Sequence, residues 1–150
     1  MSTDFTVETG KIDDLEDLLF IENACFGADQ FSRQQLAYLM TKAQGAFFVI
    51  RRNRHALAYI SLITRTNSKI ARIYSIAVHP EFQNRQLGQK LLDKSTLFAH
   101  EKKLEQISLE VKVSNEAAVV FYRKNGFQTV GLIPSYYHDG SAAYRMLLKL

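Results

Sequence analysis

One cysteine, two prolines and seven glycines are all that this 150-residue chain holds of the residues that staple, break or loosen a fold. The lone Cys25 excludes an internal disulfide and fits a reducing compartment. No base stands at a recognisable spacing from it, so it reads as a packed thiol rather than a nucleophile. No Pro- or Gly-rich linker, low-complexity tract or repeat divides the chain, and 47% hydrophobic residues suffice for a core. One domain over residues 1–150 is expected. No apolar run is long enough to span a bilayer. Met1-Ser2-Thr3-Asp4 lacks the basic flank and apolar stretch of a secretion signal, so a soluble, cytoplasmic protein is expected. His55, His79, His100 and His138 show no ligand spacing, and no metal is expected. The net charge of +4 is spread along the chain without a basic run or a nucleic-acid signature. It permits a nucleic-acid partner without demanding one, and an anionic ligand accounts for it equally well.

What is present is organised around Ile73 to Leu92. Ile73-Tyr74-Ser75-Ile76-Ala77-Val78 is an apolar, β-branched run and reads as a buried strand. Pro80 stops it, having no N–H for a ladder and biasing His79 toward extended backbone. A short polar turn with Arg85 and Gly88 follows. Leu87, Leu91, Leu92, Phe98 and Ala99 then recur at helical spacing, with Lys102-Lys103 at the end. The first N–H groups of a helix lack internal partners and sit at the positive end of its dipole, so this joint suits a phosphate. An ordinary strand-to-helix connection remains the plain alternative.

Elsewhere Phe5-Thr6-Val7-Glu8 is a short strand candidate ended by Gly10. Asp13 and Glu16 have the spacing of a capping box before a helix with Leu15, Leu18, Leu19 and Phe26 on one face. Ser32 and Gln35 form a second box, with Phe31 and Leu36 as its hydrophobic staple. Leu36, Leu39, Met40 and Ala43 line that helix, and Gly45 ends it. Ala46 to Arg52, Ala56 to Thr64 and Ile70 to Val78 read as three strands joined at Asn53-Arg54 and Asn67-Ser68, an antiparallel meander. Gln106 to Val113 alternates apolar and polar residues. As a strand following a helix it should lie parallel to Ile70–Val78 with a right-handed crossover. Ser114 or Asn115 caps a helix that stops at Asn125-Gly126. Phe127 to Ile133 and Ala142 to Leu150 close the chain as a hairpin. The class is α/β: a mixed, mostly antiparallel sheet of six to seven strands with about four helices.

Ile76-Ala77-Val78-His79-Pro80 followed by Gln83-Asn84-Arg85-Gln86-Leu87-Gly88, with Asn115-Glu116-Ala117-Ala118-Val119-Val120-Phe121-Tyr122 downstream, resembles the GNAT superfamily of acetyl-CoA-dependent N-acetyltransferases. Order, spacing and secondary structure agree from about Phe47 onward. Within it the chain is most similar to the RimI-type protein N-terminal acetyltransferases, through Leu109-Glu110-Val111 placed twelve residues before Tyr122 and through Tyr136-Tyr137 before Asp139-Gly140. One departure is Gln86, where the family has the first glycine of its phosphate loop. Glycine allows positive φ, and a glutamine serves there if its φ is negative and its N–H stays free.

The resemblance implies acetyl-CoA as co-substrate, with the central parallel strands splayed where it binds. Ile76, Ala77 and Val78 line it, the Val78 N–H serves the acetyl carbonyl oxygen, Gln83 and Asn84 contact the cofactor, and the backbone N–H groups of Arg85, Gln86, Leu87, Gly88, Gln89 and Lys90 hold pyrophosphate. Asn115 and Tyr122 complete the cofactor contacts. Glu110 would be the base, through water, Tyr122 the acid, and Phe31, Tyr136 and Tyr137 the acceptor contacts. Each has a plain alternative. Glu110 could be a strand residue paired with Lys112, Tyr122 core packing, Asn115 only a cap, Tyr136 and Tyr137 surface aromatics, His138 a solvated loop residue. The acceptor implied is a protein or peptide N-terminus, with a polyamine or amino sugar as the alternative. A catalytically weak CoA-sensing or nucleic-acid-contacting module is the third reading. A monomer or homodimer is expected.

Overall fold

The computed structural model describes residues 5–150, so the reading of Met1 to Asp4 lies outside the described residues. The β-branched and aromatic runs of the middle of the chain form the expected meander of β2 (Gly45–Arg52), β3 (His55–Ile63) and β4 (Ile70–Val78). Asn53 and Arg54 join β2 to β3 with φ of 54° and 72°. That double left-handed turn matches the twist of the strands it connects. β1 (Thr6–Thr9) adds to the edge of β2. α3 (Leu87–Glu101) then carries the chain to β5 (Gln106–Lys112), parallel to β4. β6 (Gln128–Ile133) and β7 (Ala143–Lys149) are a hairpin, and the seven strands of the described residues run in the order β1-β2-β3-β4-β5-β7-β6. β7 buries Ala143 and Met146, whereas β6 is exposed along all but its last residue. The more apolar strand takes the inner place and β6 the edge.

Each face of the sheet has its own core. Leu91 and Leu92 of α3, with Val119 and Tyr122 of α4 (Glu116–Lys124), pack on Ile107, Leu109 and Met146. On the opposite face Leu18 and Ile21 of α1 (Leu15–Phe26), with Leu36 of α2 (Arg33–Thr41), pack on Val49 and Tyr59. α2 starts on the expected capping box, with the Ser32 hydroxyl accepting from the Gln35 N–H and the Gln35 side-chain carbonyl accepting from the Ser32 N–H. α4 ends as expected: Gly126 at φ 93° lets the Phe127 N–H reach the Tyr122 carbonyl and the Gly126 N–H reach that of Arg123. Both orphan carbonyls are thereby paired.

Two local expectations are corrected. Asp13 and Glu16 form no box. Asp14 instead folds back to accept from the Lys11 N–H at 2.8 Å and also binds Arg51 of β2, so the start of α1 is fixed by a long-range ion pair. Gly45 does not end α2, which stops at Thr41; it opens β2.

The feature that positions everything downstream lies in β4. Ser75 stands opposite Ser61, but the next partner of β3, Leu62, stands opposite Ile73, so Tyr74 is an extra residue. Such a bulge bends its strand and sharpens its twist. Pairing of β4 with β5 runs from Ile70–Gln106 to Ile73–Leu109 and stops there. Beyond it the two strands part.

Gly45 has φ of 141°, and a Cβ on it would stand 1.9 Å from the carbonyl oxygen of Leu62. Gly45→Ala is therefore expected to cost roughly 2 kcal/mol or more, read as a lowered denaturant midpoint with unchanged slope.

Candidate active site

The parting of β4 and β5 leaves a backbone donor unclaimed by the sheet. The His79 N–H bonds back to the Leu57 carbonyl of β3 at 2.7 Å. Because N–H groups alternate in direction along a strand, the preceding N–H, that of Val78, points to the other side, where β5 has left. The Val78 carbonyl accepts from Cys25 Sγ at 3.4 Å and from Gln83 Nε2 at 3.3 Å. Cys25 is thus tied to backbone, and burial pushes its thiol pKa up. That is the character of a packed thiol.

Below the gap lies a cavity of about 610 Å³. Glu110, Tyr122, Ile76, Asn115, Phe31, Tyr136 and Tyr137 all border it, so stretches far apart in the chain converge there. Ala77 and Val78 and the stretch Gln83 to Lys90 are not among its walls. Ala77 packs with Tyr59 in the core under α1, and the turn from Gln83 to Gln86 lies exposed at the mouth of α3.

Glu110 does not pair with Lys112. Its side chain, 6% exposed, takes Arg72 of β4 on Oε1, with Nε at 2.8 Å and Nη2 alongside. Arg145 of β7 stands 3.6 Å from Oε2. The parallel register sets Arg72 one residue short of the last strand pair, and the antiparallel register sets Arg145 directly opposite Glu110. The Tyr136 hydroxyl reaches the same Oε1 at 3.3 Å and Arg72 Nη2 at 3.1 Å. Lys112 instead meets Asp139 at 3.4 Å and lies 5.0 Å from the centre of the Tyr137 ring.

Tyr122 is buried on the inner side of α4 against Phe127 and Phe121. Burial raises its phenol well above the ordinary value, with Tyr137 nearby adding to the effect, so the hydroxyl stays protonated through neutral pH. Asn115 caps α4 by accepting from the Ala118 N–H at 3.2 Å. The loop between β6 and β7 is held by Asp139, which accepts from the Ser141 N–H at 2.9 Å and from its hydroxyl. These bonds keep the Asp139 carboxyl at about 2. The loop presents Tyr136 and Tyr137 edge to face, and burial pushes Tyr137 up to about 12. His138 gives its backbone N–H to Asp29 at 3.0 Å, linking this loop to the connection between α1 and α2.

Glu22 is not among the expected site residues, and its likeness to the RimI-type group is only loose, yet it belongs to the cavity. The residue is 1% exposed and borders the cavity. One oxygen accepts from the Phe31 N–H at 2.7 Å, and the other takes the hydroxyl of buried Tyr59, which also bonds Ser75 Oγ at 2.7 Å. Glu22 therefore holds the α1–α2 connection, and with it Phe31, whose ring stacks on Tyr74 at 5.4 Å. A signal existed: Glu22 follows Leu15 and Leu18 at helical spacing on the buried face of α1. Desolvation raises its carboxyl pKa against the pull of its two donors.

The turn before α3 corrects the expectation for Gln86. Its φ is 61° and ψ 23°, left-handed rather than negative, and Asn84 is left-handed too at φ 65°. The glutamine adopts the conformation a glycine would take. The Lys90 N–H bonds the Gln86 carbonyl as the first turn of the helix, so the N–H groups of Leu87, Gly88 and Gln89 precede any helical acceptor. The Gln89 side chain is engaged in a reciprocal amide pair with Asn125 at 2.8 and 3.0 Å, which joins α3 to the end of α4.

The model of the acetyltransferase (GNAT) family matches residues 12–127, and the chain belongs to that family. It is 28% identical over 158 residues to an N-alpha-acetyltransferase of Saccharolobus solfataricus, covering 98% of this chain and 94% of the relative. Among solved structures it is similar to the ribosomal-protein-S18-alanine N-acetyltransferase from Escherichia coli, with a TM-score of 0.87 and 25% identity over 97% of this chain and 94% of the other. Ard1 from Thermoplasma volcanium superposes with a TM-score of 0.90 and 25% identity, over 97% of each chain.

Two outcomes are expected from these geometries. Gln86→Gly removes a side chain from left-handed backbone and should stabilise the protein by about 0.5–1 kcal/mol in chemical denaturation. For Glu22, folding favours the protonated carboxyl. From the unfolded value of about 4.3 up to the raised folded value, the native state binds more protons than the unfolded one, and stability falls as pH rises. Glu22→Gln lacks that dependence. The stability of the wild type relative to this variant should decline as pH is raised from about 4 through the mildly acidic range, then level off.

Proposed function

We propose that the protein transfers the acetyl group of acetyl-CoA directly to the N-terminal α-amine of a protein or peptide. The observation that carries this reading is the convergence of Glu110, Tyr122 and the Tyr136–Tyr137 loop on one cavity beside the parted strands. The similarity to an N-alpha-acetyltransferase over nearly the full length of both chains supports it. The residues also fit the co-substrate: the N–H groups opening α3 and the left-handed Gln86 turn suit a pyrophosphate, and the parted strands admit an extended arm.

Acetyl-CoA would supply the activated acetyl group and leave as its thiol. The Val78 N–H would donate to the carbonyl oxygen as charge develops there. Gln83 to Lys90 would offer backbone donors to the phosphates, with Arg85 and Lys90 adding charge. Tyr122 would give its proton to the departing sulfur, and Glu110, through a water, would accept the proton released by the amine. Tyr136 would orient Glu110 and, with Tyr137 and Phe31, flank the incoming chain end. An α-amine, with a pKa of about 7.7–8.0 against about 10.4 for lysine, asks little of a base already engaged by two guanidinium groups.

A polyamine would call for free carboxylates around the acceptor. Of the acids bordering the cavity, Glu110 is paired with Arg72 and Arg145, Glu22 is buried against Tyr59 and Phe31, and only Asp29 forms no ion pair among the described residues, accepting from the His138 N–H on one oxygen. This favours the peptide over the small cation. A cytoplasmic place of action accompanies the reading; among the described residues no helix is long and apolar enough to cross a membrane.

Acetyl transfer to a panel of N-terminal peptides, lysine peptides and polyamines, with mass spectrometry to locate the label, tests the acceptor class. Acetylation confined to lysine side chains or polyamines would overturn it. Tyr122→Phe should lower kcat by roughly 100-fold and Glu110→Gln by roughly 10- to 100-fold, each with the acetyl-CoA Kd within about threefold of wild type.

A further inference from the structure

A second cavity, of about 690 Å³, adjoins the first. The two share Phe31, Arg72 and Tyr74, and those three side chains form the partition between them. Phe31 lies parallel to Tyr74 at 5.4 Å, and the Arg72 guanidinium covers the Tyr74 ring at 5.1 Å. The second cavity opens along the exposed ends of β3 and β4, where Gln34, Arg65 and Ser68 line it. Among the described residues no Asp or Glu contributes to its walls. Arg65 is exposed and forms no ion pair among the described residues. Arg72 borders both cavities. Its Nε and Nη2 serve Glu110 and Tyr136, while Nη1 makes no hydrogen bond among the described residues.

We propose that this groove is a subsite for acidic side chains at the second and third residues of the acceptor polypeptide. The proposal rests on the peptide reading above and names the substrate class within it. An extended chain advances about 3.4 Å per residue. A chain whose amine lies at Glu110 therefore brings its second and third side chains past one stacked spacing of the partition. There it meets Arg65, the free edge of the Glu110-bound Arg72 and neutral polar partners, with no carboxylate in the walls of the groove itself. A carboxylate placed there is held by Arg65 and the spare edge of Arg72, and a lysine is repelled.

The test uses peptides that share an N-terminal alanine and differ only at positions two and three: Asp-Asp, Asn-Asn or Lys-Lys. The full chain and acetyl-CoA are used, and kcat/KM is read for α-amine acetylation. The acidic peptide is expected to exceed the amide peptide roughly five- to tenfold and the lysine peptide by more, with the ratio shrinking as salt is raised. Arg65→Glu should collapse or invert the ratio. Arg54→Glu makes the same charge change at the opposite end of β3 and should leave the ratio as in wild type. Equal rates across the panel, or a preference that survives Arg65→Glu, would overturn the subsite while leaving the peptide reading intact. If no peptide is acetylated at its α-amine, both fall.

Discussion

One extra residue in β4 is the constraint on which the site depends. Tyr74 has no partner of its own across β3, and pairing with β5 ends one residue earlier, at Ile73 and Leu109. A regular strand would have continued the parallel ladder and sealed the sheet. Instead β4 stays with β3, β5 stays with β7, and the Val78 N–H is left beside a gap, while its carbonyl is taken by Cys25 and Gln83. Unpaired backbone in a protein interior is costly, so such a gap is a place where a ligand's own polar atoms can complete the hydrogen bonding. The two cores pack against the sheet on either face of the parted strands.

Two glutamates border the cavity, and their surroundings differ in kind. Glu22 has only uncharged partners, a phenol and an amide N–H, and burial raises its pKa. Glu110 stands between two guanidinium groups with a phenol on the same oxygen. Equal side chains are thus fitted for different work by what surrounds them. Glu22 braces the segment that carries Phe31, and Glu110 is the one that the proposed reaction sets beside the incoming amine.

The fold was largely legible in the sequence because its signals are local. Asn53-Arg54, the Ser32–Gln35 box and Asn125-Gly126 each act within a few residues, and each formed as expected. The Asp13–Glu16 box failed because a tertiary partner, Arg51, outweighed a local spacing and drew in Asp14 instead. Of the expected site residues, part come together at one cavity and part, Ala77, Val78 and Gln83 to Lys90, lie outside its walls, and the wiring was not legible at all. Glu110, Tyr122, Asn115 and the tyrosine loop do share a cavity. Yet the partners of Glu110 come from β4 and β7, and only the strand registers bring Arg72 and Arg145 beside it. The bulge at Tyr74 leaves no mark in an apolar β-branched run, so the parting of the strands could be reached only through resemblance. Gln86 shows the opposite limit: residue type argued against a left-handed turn, and the surrounding structure imposed one.

The bond from the His138 N–H to Asp29 joins segments 109 residues apart in the chain. Both segments border the cavity that holds Glu110, one leading into Phe31 and the other carrying Tyr136 and Tyr137. Topologically it turns two separate loops into a bridge across one side of the mouth. A polypeptide can present its free end under a bridge without disturbing it, but a side chain in mid-chain has flanking backbone on both sides that must pass around it. Selection for chain termini would then be a matter of threading, imposed before any charge or side chain is read.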